Sequence, residues 1–474
     1  MTAPSPQRTT PTRQDVTRQG TAGSTHAQAS TSRRRVTPAR VSSTVVSLGI
    51  VSLLTDVSSE AVAAILPLYM TTALGLTTIA YGLVDGVLQG ASSVVRIAAG
   101  WAADRGGHPK RIALVGYAVS ALTRLGMFFA GGAAALVALV AADRFGKGIR
   151  TAPRDAMIAA SSTPRTLGRS FGVHRALDTV GASIGPLLAF TILWVIPDGY
   201  TTVFVTSFGA AVVGVAVLAF LVPDVRSRRA DWLAKHQHRA DRGLPKCKGC
   251  TCDSPAVTAQ GGPSFSWAFL REPAMRRTVV VAGVLALLTV GDGFVYLALQ
   301  DRDGFAAHWF PLLYVGTNLA YMSLAVPFGR LADRVGRLRV FVAGHVALLL
   351  AYVCAAGPGA PGVTVGALVL LGAFYAATDG VLPALAGAMV PGSVRASAIG
   401  TVQTAVAAGR LASSVAFGVL WYALGRGPAL WTVTALLAVC LPVAVVTLRG
   451  HGDAPDPARS LDTAPAHARP DGRS

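Results

Sequence analysis

The chain has 474 residues, of which 52% are hydrophobic and only 14% charged, with a formal net charge of +19. The apolar residues fall into blocks of roughly twenty, the length that crosses a bilayer, and this excludes a soluble globular protein. The positive charge lies in the segments between blocks, a placement that points to membrane topology and away from nucleic-acid binding.

Residues 1–43 are rich in Thr, Ser, Gln and Arg and precede the first apolar block. With no apolar core of their own they read as a disordered tail, not as a cleavable signal peptide. Twelve blocks then begin near Val45, Ala80, Ile112, Ala134, Phe171, Thr201, Thr278, Trp309, Val340, Gly362, Ile399 and Ala429. They divide into six-block halves over residues 44–222 and 278–448, joined by a central loop, 223–277, and followed by a second polar tail, 449–474. Nearly all Lys and Arg sit in the tails and in the loops after even-numbered blocks, whereas the opposite loops hold little beyond Arg302 and Arg426. By the positive-inside rule both tails and the central loop are cytoplasmic, which requires an even number of spans and agrees with twelve. The preference for Arg over Lys, with abundant Ala and Gly, points to a bacterial source and hence to the plasma membrane.

Block one carries Asp56 and Glu60 on one helical face. A rise of 1.5 Å per residue puts them roughly 16–23 Å into the span, at mid-membrane depth. Two carboxylates so placed suit reversible proton binding; the other reading makes them fixed salt-bridge partners of cations on block four. That block supplies such cations: Asp143, Lys147, Arg150 and Arg154 form one stripe, with Arg144, Thr151 and Asp155 beside it. In block five Arg175 and Asp178, three apart, can pair. Asp85, Arg96, Arg124, Asp292, Asp379 and Arg410 also fall within apolar blocks, each read singly as a structural partner, with Asp292 and Arg410 expected to pair.

Two patterns repeat. Gly100-x3-Asp104-Arg105-x-Gly107 returns as Gly329-x3-Asp333-Arg334-x-Gly336, 229 residues later, and Gly172-x8-Gly181-x3-Gly185 returns as Gly400-x8-Gly409-x3-Ser413, 228 residues later. Halves in register imply parallel repeats with a substrate site between them near the midplane. These motifs resemble the major facilitator superfamily, and specifically its drug/proton antiporter-like branch, over roughly residues 44–448. The resemblance implies an all-α polytopic fold of twelve transmembrane helices in two six-helix halves. It links Arg144, in Arg144-Phe-Gly-Lys-Gly148, to proton transfer, and Gly172, Gly181, Gly185 and Pro186 to antiport. Lys147 stands where the family has Gln, Ala189-Phe190 replaces a Gly-Gly pair, and His108 replaces an Arg.

On physical grounds Gly100 and Gly329 permit close packing of helix ends, and Asp104 and Asp333 can cap a helix or pair with an Arg. Gly100, Asp104, Arg105, Gly329, Asp333 and Arg334 are therefore candidates for a latch that closes the cytoplasmic side; the plainer reading is that these basic turns only fix topology. Gly181, Gly185 and Pro186 read as a hinge or a tight seam between halves, or as general packing. His236, His238, Cys247, Cys250 and Cys252 of the central loop offer metal-ligand types, but a flexible reduced linker without metal is the favoured reading.

The expected activity is proton-coupled efflux of small organic compounds by alternating access. Asp56, Glu60 and Arg144 would couple protons, and Asp143, Lys147, Asp178, Asp292 and Arg410 are candidates for the substrate cavity. A proton-coupled importer of a sugar, organic acid or siderophore-like solute, and a transporter-like membrane sensor or scaffold, are the alternatives. No cofactor is expected beyond the proton gradient; the partners are a small-molecule substrate and the lipid bilayer, the working unit is a monomer, and neither enzymatic activity nor nucleic-acid binding is expected.

Overall fold

The computed structural model describes residues 42–90, 109–162, 166–223, 270–390 and 394–448, all within one compact unit, Val41–Ser474. Among the described residues every regular element is a helix. In the first half these are α1 (Ser43–Leu68, prolonged by a π turn, Tyr69–Ala73), α2 (described over 78–90), α3 (Pro109–Phe128), α4 (Ala133–Ala160), α5 (Leu167–Val195) and α6 (Tyr200–Leu221). The second half begins with a span in two pieces, α7 (Pro273–Leu287) and α8 (Asp292–Asp303), and continues with α9 (Phe310–Val335) and α10 (Arg337–Ala356). Another broken span, α11 (Pro361–Thr378) with α12 (Val381–Ala388), precedes α13 (Arg395–Leu424) and α14 (Arg426–Leu448). Each of the twelve spans starts within five residues of an apolar block.

Ten of these helical stretches are long and apolar enough to cross a membrane. The α2 segment is described only in part, and α4 is the exception that matters: it has the length, 28 residues, but carries six ionic side chains between Asp143 and Asp155. A helix this polar lies at bilayer depth only if its charges face protein. Outside the bundle Leu122, Phe220 and Val439 are exposed, the pattern of a lipid-facing surface.

The sequence repeat becomes a packing repeat. In the first half α5 crosses α1 so closely that a Cβ on Gly181 would lie 2.5 Å from the Leu53 carbonyl, and one on Gly185 would lie 2.8 Å from the Ala61 amide. In the second half α13 crosses α7 in the same way, with a Cβ on Gly409 falling 2.7 Å from the Gly283 carbonyl. The expected seam between halves at Gly181 and Gly185 is thus corrected: these glycines fasten two helices of the same half. Gly172, Gly329 and Gly400 have no described neighbour within 4 Å of a built Cβ, so close packing does not explain them.

The halves meet instead along α2 with α13 and α5 with α9. We call the end of the bundle holding the start of α1 and the end of α14 proximal, and the opposite end distal. At the distal end Thr78 donates to the Gly418 carbonyl at 3.0 Å, and Tyr81 and Phe417 pack edge-on against Phe294 at 4.7 and 5.1 Å. Beside them Phe190 and Trp194 of α5 meet Trp309 at 5.7 and 5.8 Å. The distal end is closed.

Candidate functional site

The charges of α4 are satisfied in a line that runs across the first half. Asp143 is clamped by two guanidinium groups, Arg124 Nη2 on Oδ1 and Arg144 Nη2 on Oδ2, both at 2.9 Å. One turn on, Lys147 Nζ lies 3.9 Å from Glu60, and the next turn brings Arg150 to 3.9 Å from Asp56, its guanidinium stacked over the Tyr117 ring. Arg154 holds Asp155 at 3.1 Å and reaches Asp178 at 3.9 Å and the Ser52 hydroxyl at 3.0 Å. Arg175 pairs with Asp178 at 3.3 Å, as their spacing predicts. The carboxylates four apart on α1 therefore meet cations three apart on α4. Of the two readings of Asp56 and Glu60, these contacts are those of salt-bridge partners of block-four cations, and Arg144 forms its ion pair with Asp143.

Between the halves lies a cavity of about 350 Å³ near mid-depth. Its carboxylates come from both sides, Glu60 and Asp85 from the first half and Asp292 and Asp379 from the second. Tyr81, Tyr296, Tyr314, Tyr321 and Tyr375 add aromatic faces, and Arg144 and Arg175 add positive charge. Arg144 is well buried and its Nε has no hydrogen-bond partner among the described residues, so one donor on this wall is unused. A second cavity, about 550 Å³, lies towards the proximal end and includes His345 and Arg410. Gln89, Arg175 and Asp379 line both.

Of the residues expected in a substrate cavity, Asp292 lines the first and Arg410 the second. Asp143, Lys147 and Asp178 line neither, although their ion-pair partners Arg144, Glu60 and Arg175 line the first. The expected Asp292–Arg410 pair is also not formed. Arg410 pairs with Asp379 at 3.8 Å and sits over the Tyr375 ring, and the Tyr375 hydroxyl donates to Asp292 at 2.8 Å. Pro186 lines the first cavity.

The helix break is what the sequence reading missed. Residues 288–291, Leu-Thr-Val-Gly, leave the helix between α7 and α8, and Tyr352 serves the freed backbone, accepting from the Val290 amide at 2.7 Å and donating to the Leu288 carbonyl at 3.3 Å. Gly291-Asp292-Gly293 follows at once, and both glycines give room to α2. A Cβ on Gly291 would fall 1.9 Å from Asp85 Oδ2, and one on Gly293 the same distance from the Tyr81 hydroxyl. The visible signal was an Asp between two glycines inside an apolar block, a known mark of a broken membrane helix at a binding site.

Towards the proximal end Asp333 pairs with Arg337 at 3.8 Å across the turn at Gly336, Arg337 also donates to the Ala384 carbonyl of α12 at 3.1 Å, and Arg334 occupies the last turn of α9. Gly100, Asp104 and Arg105 of the matching turn lie outside the described residues, as do Arg96, His236, His238, Cys247, Cys250 and Cys252. Among the described residues no group of His, Cys, Asp or Glu is arranged to hold a metal ion. At the distal end the two exceptional basic residues are neutralised locally, Arg302 by Asp303 at 2.7 Å and Arg426 by Asp301 at 2.9 Å.

The family model described as Major Facilitator Superfamily matches residues 48–317 and 303–471. An uncharacterized MFS-type transporter of Methanocaldococcus jannaschii is 28% identical over 389 residues, covering 79% of this chain and 87% of that one. An uncharacterized protein of Mycobacterium tuberculosis is 27% identical over 406 residues, covering 84% and 87%. Among solved structures the nucleoside transporter NupG superposes with a TM-score of 0.70 at 14% identity, covering 86% of this chain and all of that one. A POT family transporter in complex with 5-aminolevulinic acid gives 0.67 at 13%, covering 85% and 95%.

Proposed function

The chain belongs to the Major Facilitator Superfamily, a family of membrane transporters and not of enzymes, and from that premise we propose that it exports small organic compounds in exchange for protons. The observation that supports this reading is the lining of the central cavity, where carboxylates of both halves face one space among tyrosine rings. A solute with a positive or hydrogen-bond-donating group and a planar apolar part meets complementary groups there. Glu60 is the group for which proton and solute compete: it lines the cavity, and its contact with Lys147, at 3.9 Å and one-third exposed, is one that either can displace. Asp56, held by Arg150, orients the same face of α1. Alternating access then needs the distal closure to open while the proximal side closes.

In this reading the proton gradient is the energy source, no cofactor takes part, and a monomer works in the plasma membrane of a bacterium with both termini cytoplasmic. A second reading, uptake of a polar solute together with protons, draws support from the neutral hydrogen-bonding groups of the lining, Gln89, Thr317 and Asn318. These suit cargo of the kind named for the similar folds, a nucleoside or a peptide.

The deciding experiment uses inside-out vesicles with an acidified lumen and a panel of cationic, neutral and anionic compounds. Export predicts solute-dependent loss of the pH gradient that disappears in Glu60→Gln. No response to any compound, with solute accumulation in right-side-out vesicles, would replace export by uptake.

A further inference from the structure

Asp85 is the most enclosed carboxylate at the junction of the halves. It is 5% exposed, and no ion pair among the described residues involves it. Its partners are neutral: Ser414 of the opposite half hydrogen-bonds Oδ2 at 2.5 Å, and Tyr81 and Gln89, one turn to either side on α2, hydrogen-bond the same carboxyl. The cradle is built for it, because only a glycine at position 291 leaves space for Oδ2 beside the break in the seventh span. Above it the Tyr81–Phe294–Phe417 stack shuts off the distal end. Asp85, its hydrogen-bond partner and its cradle thus come from α2, α13 and the α7–α8 break, which must separate when the distal end opens.

We infer that Asp85 is a proton-carrying residue whose protonation fastens the distal closure. The inference rests on the proton-coupled reading above. An ionised carboxylate at bilayer depth with no cation beside it is costly, whereas the neutral acid fits a cradle of hydroxyl and amide groups. Opening the distal end admits water and removes that cost, so the anion belongs to the open arrangement and the acid to the closed one. The proton is taken from water at the open distal end and released past Gln89 to water in the proximal cavity. The charged and titratable groups that face Asp85 are Tyr81 on its own helix, Asp292 on α8, Tyr314 on α9 and, at longer range, Arg410 on α13. Glu60, Arg144 and Arg175, on α1, α4 and α5, stand across the cavity. Asp292 brings a second carboxyl to the same cavity, and Arg410 is engaged by Asp379.

The test measures the distance between spin labels on the exposed distal residues Pro197 and Ala306, one in each half, by double electron–electron resonance. It uses the full chain in lipid nanodiscs with its five cysteines replaced by serine. In the parent, raising the pH from about 5 to about 9 should lower the short-distance population at least about twofold. Asp85→Asn should keep that population high at both pH values. Ser414→Ala, a milder change that leaves the acid in place, should at least halve the short population at low pH. A parent that shows no pH response overturns the proton-coupled reading itself. A parent that responds while Asp85→Asn responds equally overturns only the assignment to Asp85, and so does a short population untouched by Ser414→Ala. A distribution that follows sodium in place of pH, at constant ionic strength, overturns the proton as the bound cation.

Discussion

The ionic core of the first half and the junction between halves solve the same physical problem differently. In the first half every carboxylate on the α1–α4–α5 line, from Asp143 to Asp178, has a cation within 4 Å. At the junction Asp85 and Asp292 have a serine, a glutamine and tyrosines, and no cation at that distance among the described residues. An ion pair fixes both partners in their charged forms, while a carboxyl held by neutral donors can gain or lose a proton without stranding an opposite charge. Apart from Glu60, whose long pair with Lys147 opens on the cavity, the first arrangement is suited to holding a bundle together through a transport cycle and the second to changing during it.

The sharpest way to break this contrast is Asp143→Asn, which leaves Arg124 and Arg144 facing each other at bilayer depth. It should cost about 3–5 kcal/mol, seen as a large fall in the thermal midpoint of the detergent-solubilised protein. An unchanged midpoint would mean that the clamp is not structural. Next, Gly181→Val and Gly409→Val should each cost about 1–3 kcal/mol by overpacking equivalent crossings, and similar losses in the two halves would show that the packing repeat is energetic as well as geometric. Glu60→Gln should then spare the thermal midpoint yet cut solute-driven proton flux about tenfold, equivalent to about 1.4 kcal/mol, whereas Asp56→Asn, at a more buried pair, should lower both. Tyr375→Phe removes the hydroxyl from Asp292 and should weaken half-saturation about fivefold, as the loss of one hydrogen bond of about 1 kcal/mol predicts. The smallest effect is expected for Asp333→Asn, whose carboxylate is 71% exposed: stability should change by about 0–1 kcal/mol, and if transport rates are equally unmoved this turn has no latching role.

The sequence made the membrane-spanning architecture legible because apolar block length, loop charge and the two repeats each depend on local composition. Arg302 and Arg426, the exceptions to the loop-charge pattern, each have an acidic partner close by in the chain or across the distal end, Asp303 and Asp301. The partners were not legible. Arg410 chose Asp379 over Asp292 because of where the α11–α12 break turns the chain, and no spacing rule reports that. Asp85 looked like one more intramembrane acid, since its distinction is what surrounds it in three dimensions: a serine 329 positions away and the glycine of a broken helix. The break itself hid inside an apolar window, where Leu-Thr-Val-Gly scores as membrane helix although its backbone is served by Tyr352.

The aromatic contact at the distal end also gives the protein an optical signature. Trp194 belongs to one half and Trp309 to the other, their rings 5.8 Å apart and nearly perpendicular, with His308 packed against both. Indoles this close interact as a pair of transition dipoles, and an imidazole in contact quenches them. Parting the halves would separate the pair and relieve the quenching, so any opening of the distal end would change the near-ultraviolet circular dichroism and the emission, readable in real time on unlabelled protein.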